Sequence, residues 1–375
     1  MKPLAVLGIM SGTSIDAVDY ALCRVTVEKI VLLEHRQARF PALLQRRLHA
    51  AARNESSSHE VAQLHHDLGR FYARAAGRLF SQRRPELIGL HGQTIFHHPS
   101  ATEPATLQIG EPAYLARALR APVVSNFRAA DLAAGGQGAP LATLFHQIVF
   151  QQKGAHICVN NLGGISNVTS LDWRRGAQPC VAAFDTGPAN VLVDLAVRHF
   201  TRGKRKCDED GRWAARGRIS ARAIERWLKH PYFRMRPPKS TGRELFGEPF
   251  FKMALTEMKR SGLSQPDMLA TLTEFTAQSI ALNYALHLKS APDGVVVCGG
   301  GARNSTLVHR IRAALTRQNS TTSVRISDEL GWPNQAIEPA AFALLAYYRR
   351  HGLAGNLPPT TGAREKVLLG EMAEP

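Results

Sequence analysis

The N-terminal stretch carries small hydroxyl residues and acids in a pattern that suits phosphate binding. The apolar run Leu4 to Met10 predicts a buried strand. It ends at a polar turn of four small residues, which are Ser11, Gly12, Thr13 and Ser14. Glycine lets the backbone approach an anion closely, exposed N–H groups in such turns bind anions, and an acid just beyond, here Asp16 or Asp19, can hold Mg²⁺ through oxygen. The stretch predicts a nucleotide-phosphate site, although a β-hairpin turn rich in serine and threonine would explain the same residues.

Asp185 is the strongest single candidate for a catalytic group. It follows the apolar run Val181 to Phe184, which predicts a strand, and it precedes a Thr-Gly-Pro turn that predicts the start of a helix. A carboxylate at such a strand end projects into a cleft with little freedom, and partial desolvation would raise its pKa toward that of a useful general base. The alternative is that Asp185 only caps the helix that begins near Pro188.

Two glycine-rich turns follow predicted strands in the second half of the chain. The glycines are Gly163 and Gly164 in the first turn and Gly299, Gly300 and Gly301 in the second. The triple glycine stands between an apolar strand and a helix that is predicted from about residue 304, so its backbone can pass close to a ribose or a phosphate. It fits neither the G-x-G-x-x-G pattern nor a P-loop, so a dinucleotide site is not indicated.

A polar cluster after another short apolar strand suits the hydroxyl groups of a sugar. His91, Gln93 and Thr94 offer hydrogen-bond donors and acceptors there. Asp131, beside the glycine-rich turn at 135–138, could line the facing wall, or it could belong to a turn between two domains.

Three further features have ordinary explanations beside functional ones. Residues 236–243 form a rigid basic loop that could meet an anionic substrate group or serve as a surface connector. Glu338 lies near the start of the last predicted helix, where an acid suits the helix dipole. His97 and His98 could suggest a metal site, but neighbouring histidines rarely bind one metal ion, so we predict that they lie in a loop.

The elements that would position these residues follow an α/β pattern that occurs twice. Residues 4–35 predict three sequential strands, and residues 155–171 again predict a strand, a small-residue turn and a strand. This repeat predicts two related α/β domains that face each other across a nucleotide-binding cleft. We place the first lobe at residues 1–126 plus 338–365 and the second lobe at residues 127–337.

The composition is that of a globular protein with a basic bias. The 375 residues are 44% hydrophobic and 21% charged, which suits one large or two ordinary domains with a real core. The net charge of +17 would favour polyanions, but the basic residues are spread along the chain without a nucleic-acid-reading motif, so we predict no nucleic-acid partner. Five cysteines without a C-x-x-C pair fit a reducing, cytoplasmic compartment, and no apolar run predicts a membrane span.

Eight segments of the chain resemble, in order, the motifs of the 1,6-anhydro-N-acetylmuramic acid kinase family. They are MSGTSIDAVD (10–19), LHGQTIFHHP (90–99), LQIGEP (107–112), FRAADLAAGGQGAPL (127–141), NNLGGISNVT (160–169), FDTGPANVLVD (184–194), RPPKSTGRELF (236–246) and VCGGGARN (297–304). Among them AAGGQGAPL and RPPKSTGRELF are long and highly specific.

The resemblance implies an actin-like ATPase fold of the sugar kinase and Hsp70 type, with two lobes and a nucleotide cleft. It implies an ATP-dependent kinase that opens the 1,6-anhydro bridge of the sugar with water while O6 receives the γ-phosphoryl group. The product would be N-acetylmuramic acid 6-phosphate, within peptidoglycan recycling. A homodimer is also implied, with the amino sugar and ATP as its small-molecule partners.

The resemblance also assigns roles to individual residues. In the family the aspartate of the FDTGP motif activates the water, and that aspartate is Asp185 here. The residues that would contact ATP are Ser11, Gly12, Thr13, Ser14, Asp16, Asp19, Gly163, Gly164, Gly299, Gly300 and Gly301, with Asp16 as the Mg²⁺ ligand. The residues that would line the sugar pocket are His91, Gln93, Thr94, Asp131 and Glu338.

Three positions depart from the family pattern. Ala17 and Ala189 stand where the family usually has glycine, and Pro339 stands where it commonly has alanine, so that Glu338 could sit slightly differently. The alternative functions are a kinase of the same fold for another amino sugar and a non-catalytic sugar- or nucleotide-binding protein. Intact Asp16 and Asp185 and the glycine turns argue against the non-catalytic alternative.

Overall fold

The chain forms two compact α/β units. The computed structural model describes residues 1–12, 14–99 and 102–375. Unit 1 contains Met1–Val149 and Gln335–Pro375, and unit 2 contains Phe150–Asn334. Residues 127–149 thus group with unit 1, whereas the predicted second lobe includes them; the predicted lobe boundaries stay a prediction.

Strands and helices alternate along both units. The strands are β1 Leu4–Ser11, β2 Ala17–Val25, β3 Ile30–Arg39, β4 Leu87–His98, β5 Ala105–Ile109, β6 Val123–Ser125, β7 His156–Leu162, β8 Ile165–Asp172, β9 Cys180–Pro188, β10 Gly294–Cys298, β11 Ser323–Ile326 and β12 Glu371–Ala373. The α-helices are α1 Ala42–Ala52, α2 Ser58–Leu79, α3 Ala113–Leu119, α4 Ala129–Ala133, α5 Thr143–Phe150, α6 Val191–Phe200, α7 Ala221–Trp227, α8 Arg243–Phe246, α9 Glu248–Arg260, α10 Gln265–His287, α11 Ser305–Gln318, α12 Ile337–Arg350 and α13 Pro358–Thr361.

The sheet of unit 1 is mixed, with the order β12-β6-β4-β1-β2-β3 and β5 paired to β4. Strands β1, β2 and β3 form an antiparallel meander, and β4 and β6 continue the sheet parallel to β1. The register places Ser11, at the end of β1, beside Gln93 in β4. The polar residues predicted on two separate stretches therefore lie on adjacent strands.

The sheet of unit 2 has the order β11-β10-β7-β8-β9. Strands β7, β8 and β9 form an antiparallel meander, and β10 and β11 run parallel to β7 on its other side. This is the same arrangement as β1, β2, β3, β4 and β6 in unit 1. The predicted α/β class, with an opening strand pattern that recurs in the second half of the chain, is confirmed.

Helix α12 packs so closely on β1 and β4 that both strands need glycine at the contact. A Cβ atom at Gly8 would overlap the carbonyl oxygen of Pro339, and a Cβ atom at Gly89 would overlap that of Phe342. Interiors packed at crystal-like density leave no room for such an atom, so a larger residue would push the helix away. The contact fixes the first turn of α12, which carries Glu338.

Helix α10 is the central helix of unit 2. Residues on all of its faces are buried, as expected for a helix in the middle of a core. Its N-terminus is fixed by a capping box, in which the Ser264 side chain accepts from the backbone of Asp267 and the Asp267 side chain accepts from the backbone of Ser264. Near its other end it presents Asn283 and His287 to residues around β9.

Two local predictions differ from the structure. Strand β4 continues to His98 instead of ending near residue 90, because β5 pairs with its second half, so His97 and His98 lie in a strand. Asp185 lies inside β9, which continues to Pro188. None of the helices in the described ranges combines the length and apolar character that crossing a bilayer requires.

Candidate active site

The carboxyl group of Asp185 is held by one backbone donor and is partly removed from water. The N–H of Thr241 donates to its Oδ2 atom at 2.8 Å. The pKa of Asp185 is raised from 3.8 to about 7, because burial and the Glu244 carboxylate raise it by more than the Thr241 hydrogen bond and the Lys239 charge lower it. A carboxylate with a pKa near neutrality suits a general base.

The capping explanation for Asp185 is wrong. Helix α6 begins at Val191, and its N-cap is Asn190. The Asn190 side chain instead donates to the carbonyl oxygens of Leu162 and Gly163, at 3.2 and 2.7 Å, which ties the start of α6 to the turn between β7 and β8. Asp185 therefore has no part in capping this helix.

A buried polar chain supports the strand that carries Asp185. The Thr186 hydroxyl donates to the Ser166 Oγ atom at 2.6 Å, Asn160 donates to the same Oγ atom at 2.8 Å, and the Tyr284 hydroxyl donates to Asn160 at 3.0 Å. Asn283 donates to the Thr186 carbonyl oxygen at 2.9 Å. The Asn283 Oδ1 atom has no partner among the described residues, but the other hydrogen bonds of this network hold β9 in place beneath Asp185.

The basic loop, residues 236–243, has two exposed cations, Arg236 and Arg243, and one buried cation, Lys239. Arg236 is exposed, but Lys239 is buried, and its ammonium lies among protein acceptors. Lys239 is therefore not part of the loop's exposed surface, and the surface-connector and anion-binding interpretations of the loop as a whole both stay predictions. Thr241, two residues further on, has a buried hydroxyl that has no hydrogen-bond partner among the described residues.

The two glycine turns of unit 2 meet at the same end of its sheet. Gly163 and Gly164 form the turn between β7 and β8, while Gly299 to Gly301 directly follow β10, which runs parallel to β7. Gly299 has a φ of +79°, and a Cβ atom there would overlap the Asn161 side chain. A Cβ atom on Gly301 would lie 2.7 Å from that of Leu162.

Packing therefore explains Gly299 and Gly301, but it does not explain Gly300. Gly300 is exposed, and a Cβ atom there would meet nothing within 4 Å. An open backbone beside two glycine turns at the carboxyl end of parallel strands is where α/β sheets bind ligands. This edge of unit 2 is the part of the unit best suited to a nucleotide.

The N-terminal turn of unit 1 is open on one side and anchored on the other. Ser11 is buried, and its hydroxyl lies 3.4 Å from both the Tyr72 hydroxyl and the Gly92 carbonyl oxygen. Gly12 has open space where a side chain would stand, and Ser14 and Asp16 are exposed. Thr13, which is also predicted to contact ATP, lies outside the described residues.

Asp19 is already engaged with the neighbouring strand. His35 and Gln37 of β3 each place a side-chain nitrogen 3.1 Å from its Oδ1 atom. Asp16 precedes β2, while Asp19 lies inside it. Of the two acids, Asp16 therefore lies nearer to the turn along the chain.

His91 serves as a buried hydrogen-bond acceptor for Arg128. The His91 Nδ1 atom lies 2.9 Å from the Gly92 carbonyl oxygen, and its Nε2 atom lies 2.9 Å from Nη2 of Arg128. Burial lowers the pKa of His91 well below its usual value, and the Arg128 charge lowers it further, so the ring stays neutral. The neutral ring donates to the carbonyl and accepts from the guanidinium.

Arg128 links this histidine to the glycine-rich turn. Its Nη1 atom donates to the Gly138 carbonyl oxygen at 2.5 Å. Burial lowers its pKa to about 10, while Glu338 and Asp131 raise it. Only its position in the FRAADLAAGGQGAPL motif marks it in the sequence, because its partners lie 37 and 10 residues away along the chain.

Gln93 connects the sugar-pocket motif to the phosphate-binding motif. Its amide nitrogen donates to the carbonyl oxygens of Gly12 and Thr94, at 3.3 and 3.2 Å. Its Oε1 atom is buried and has no partner among the described residues. An unpaired buried acceptor is costly, so this atom is a natural site for a ligand or water donor.

Asp131 occupies a structural position. It is fully buried, its Oδ2 atom accepts from the Gly138 backbone at 2.8 Å, and its Oδ1 atom accepts from Asn356 at 2.9 Å and from Thr361 at 2.8 Å. These bonds join α4 to the glycine-rich turn and to the C-terminal segment. Its predicted contact with the sugar stays a prediction, and the bonds that it makes are internal to unit 1.

Glu338 lies in the first turn of α12 with its side chain open to solvent. Protein atoms nevertheless crowd its carboxylate, and this desolvation raises its pKa, while Arg128 lowers it and Asp19 raises it. Glu338 therefore interacts electrostatically with Asp19 and with Arg128, and Arg128 also interacts with Asp131.

Repeated α/β sheets, glycine turns at strand ends and a carboxylate that titrates near neutrality are typical of a phosphotransferase of the sugar kinase class. A family model described as Anhydro-N-acetylmuramic acid kinase matches residues 4–375. The chain belongs to the anhydro-N-acetylmuramic acid kinase family, and the predicted family and enzyme class are confirmed.

Curated relatives agree with the family model. The anhydro-N-acetylmuramic acid kinase of Picosynechococcus sp. is 42% identical over 382 residues, which cover 98% of this chain and 99% of the relative. The protein of the same name from Acaryochloris marina is 42% identical over 378 residues, with 98% and 99% coverage.

Similarity to solved structures is weaker. An activator of the 2-hydroxyisocaproyl-CoA dehydratase from Clostridium difficile, with bound ADPNP, aligns with a TM-score of 0.47 and 10% identity over 93% of this chain and 96% of that chain. A ROK family glucokinase from Streptomyces griseus, in complex with glucose and AMPPNP, aligns with a TM-score of 0.42 and 15% identity over 93% and 100% of the two chains.

Proposed function

We propose that this protein is an ATP-dependent kinase that hydrolytically opens 1,6-anhydro-N-acetylmuramic acid and phosphorylates O6, within peptidoglycan recycling. The observation that carries the proposal is the state of Asp185, whose pKa is raised to about 7 and whose Oδ2 atom accepts the Thr241 N–H. Family membership supports the sugar and the phosphoryl donor.

Asp185 acts as the general base in this reaction. Water attacks the anomeric carbon, its proton passes to the carboxylate of Asp185, and the bond between C1 and O6 breaks. The electron pair of that bond stays on O6, which attacks the γ-phosphorus, and ADP leaves. The sugar thus gains one water and one phosphoryl group. A carboxyl group that is half-ionised near neutral pH provides enough of its ionised form to accept the proton of the water.

The phosphates of ATP would bind at Gly12 and Ser14 of unit 1 and at the glycine turns of unit 2. Open space at Gly12 and Gly300 supports this assignment, because ligand atoms can approach the backbone there. The contacts proposed for Ser11, Thr13, Asp19, Gly163, Gly164, Gly299 and Gly301 rest on the family motifs.

The residues present fit Mg²⁺ that arrives with the nucleotide. Asp16 is exposed beside the turn, and the described residues hold no cluster of three or more metal-binding side chains. Mg²⁺ in kinases is usually bound by one or two carboxylates together with substrate phosphates, so a single acid is sufficient. When bound, the ion would neutralise charge on the phosphates.

The sugar would bind among His91, Gln93, Thr94, Asp131 and Glu338. Two of these have features that support direct contact, because the Gln93 Oε1 atom has no partner among the described residues and Glu338 is open to solvent. His91 and Asp131 are buried, so we propose that they act by positioning Arg128 and the glycine-rich turn.

The test is a coupled ADP-release assay with the purified full chain, ATP, Mg²⁺ and the anhydro sugar, followed by mass measurement of the product. We expect ADP release only when the anhydro sugar is present, and a product that has gained one water and one phosphoryl group. Release with another amino sugar, but not with the anhydro sugar, would identify a different kinase of this fold. Sugar binding without any ADP release would overturn the proposal.

We also propose that the enzyme is a cytoplasmic homodimer, as the family resemblance implies. The five cysteines, all of which lie in the described residues, form no disulfide, which is consistent with a reducing compartment. Light scattering coupled to size-exclusion chromatography should give twice the chain mass of 41.1 kDa. A single-chain mass across the working concentration range would contradict the dimer.

A further inference from the structure

The ammonium of Lys239 is enclosed by two carbonyl oxygens and lies beside a histidine of α10. Its Nζ atom lies 3.2 Å from the Tyr232 carbonyl oxygen, 3.3 Å from that of Phe233 and 3.2 Å from Nε2 of His287, on α10. The same atom lies 4.6 Å above the centre of the Tyr232 ring, within cation–π range. His287 Nε2 lies 2.9 Å from the Phe233 carbonyl oxygen and donates to it, so His287 binds the same carbonyl group as Lys239, which is itself buried.

The segment that Lys239 ties together also holds Asp185. The Tyr232 hydroxyl donates to the Asp185 carbonyl oxygen at 2.8 Å, and the Asp185 N–H donates to the Lys239 carbonyl oxygen at 3.1 Å. The Thr241 N–H, two residues after Lys239, donates to the Asp185 carboxylate. The backbone of Asp185 and its side chain are thus both bound by residues 232–241.

We propose that Lys239 is a positioning residue: its buried ammonium holds residues 232–241 folded around Asp185 and supplies the positive charge that faces the Asp185 carboxylate. The proposal rests on the proposed function of Asp185 as the general base. The ammonium binds the carbonyl oxygens of Tyr232 and Phe233 and lies beside His287, the last residue of α10, so its loss would remove both hydrogen bonds at the start of the segment.

The charged and titratable groups around the two residues are few. Glu244 and Tyr232 face Asp185 besides Lys239, and His287 and Tyr232 face Lys239 besides Asp185. Burial lowers the pKa of Lys239 to about 8, and Asp185 raises it, so Lys239 is still mostly protonated where Asp185 titrates. Removing the positive charge would raise the pKa of Asp185, because Lys239 favours its ionised form.

The test compares Lys239→Met with Lys239→Arg and with the matched surface control Lys229→Met. Lys229 is exposed on the turn after α7 and has no place in the proposed site. For Lys239→Met we expect the acidic limb of the profile of kcat/KM against pH to move to higher pH, and kcat to fall about 10- to 100-fold at little change in the KM for ATP. Lys239→Arg should keep the limb near its wild-type position, and Lys229→Met should match the wild type.

An unshifted acidic limb in folded Lys239→Met would overturn the proposal, since a purely structural lysine would change stability without changing the titration of Asp185. A readout independent of turnover is the carbon-13 NMR titration of labelled aspartate carboxyl groups, with the Asp185 signal assigned by its loss in Asp185→Asn. The same upward shift is expected there. This titration tests the effect of Lys239 on the pKa of Asp185 even if the wild type has no activity on the anhydro sugar. That inactivity would overturn the proposed function instead.

Tyr232→Phe tests the segment if Lys239→Met does not fold. It removes only the hydroxyl that donates to the Asp185 carbonyl oxygen and keeps the ring over Lys239. We expect kcat to fall about 10-fold with an unchanged KM for ATP. A wild-type kcat in Tyr232→Phe would overturn the positioning role of the segment.

Discussion

Asp131 and Asp185 look alike in the sequence, but the structure surrounds them differently. Each is an acid near a glycine-containing turn, and each was predicted to take part in the site. Asp131 is fully buried and its two oxygens accept three hydrogen bonds from Gly138, Asn356 and Thr361. Asp185 keeps partial contact with solvent, and a single backbone N–H donates to its carboxylate.

The difference lies in how many donors offset the loss of water. Three donors satisfy the Asp131 carboxylate, so its charge supports the fold. One donor does not offset desolvation at Asp185, and its pKa is therefore raised to about 7. A carboxylate used for structure is saturated with donors, whereas one used for proton transfer is left short of them. This contrast predicts opposite effects for the same substitution at the two positions.

The largest effect should be the loss of turnover in Asp185→Asn. The amide cannot take a proton from water, and general bases contribute roughly 10²- to 10⁴-fold, so we expect about a 10³-fold fall in kcat. Nucleotide affinity, measured by calorimetry, should stay within about twofold of the wild type, because Asp185 does not belong to the glycine turns. Turnover within tenfold of the wild type would remove Asp185 from the role of base.

Asp131→Asn should instead lower the free energy of unfolding. The amide nitrogen of asparagine would face a donor that now binds a carboxylate oxygen, and such a mismatch in the interior costs about 2–3 kcal/mol. Denaturant unfolding should show this loss, while the exposed control Glu225→Gln on α7 should change stability by less than about 0.5 kcal/mol. A stability equal to that of the wild type would mean that the three hydrogen bonds do not support the fold.

Asp185→Asn should stabilise the protein at alkaline pH. The folded-state pKa is raised from 3.8 to about 7, so the folded protein holds a proton that the unfolded chain has released, and wild-type stability falls as the pH rises through this window. The asparagine variant carries no such proton. We expect it to exceed the wild type by about 4 kcal/mol above pH 7, and this gain should shrink toward zero near pH 4. A gain that does not change with pH would have another cause.

The sequence pattern predicts the fold well because its signals are local. Apolar runs, turn residues and the repeated opening of each half define the α/β class, and Asp185 is found from its position after an apolar strand. Lys239 and Arg128 are harder to assign, because their roles depend on contacts across 48 and 37 residues, with His287 and His91. Local sequence also cannot count the donors around an acid, so the sequence predicts Asp185 as the base and Asp131 as a sugar contact without showing that Asp131 is saturated by internal hydrogen bonds.

The smallest predicted effect is a difference in unfolding free energy between Thr→Val variants of two threonines, each of which lies beside one of the two acids. The Thr361 hydroxyl donates to Asp131 at 2.8 Å, whereas the Thr241 hydroxyl is buried without a partner among the described residues. Thr361→Val should therefore lose about 1 kcal/mol of unfolding free energy, because it removes a donor to a buried carboxylate. Thr241→Val should be neutral or slightly stabilising, because it removes a polar group that the unliganded fold leaves unsatisfied. Equal losses of unfolding free energy for the two variants in denaturant unfolding would contradict the contrast between Asp131, which accepts three hydrogen bonds, and Asp185, which accepts one. The same substitution would then destabilise the protein equally beside both acids.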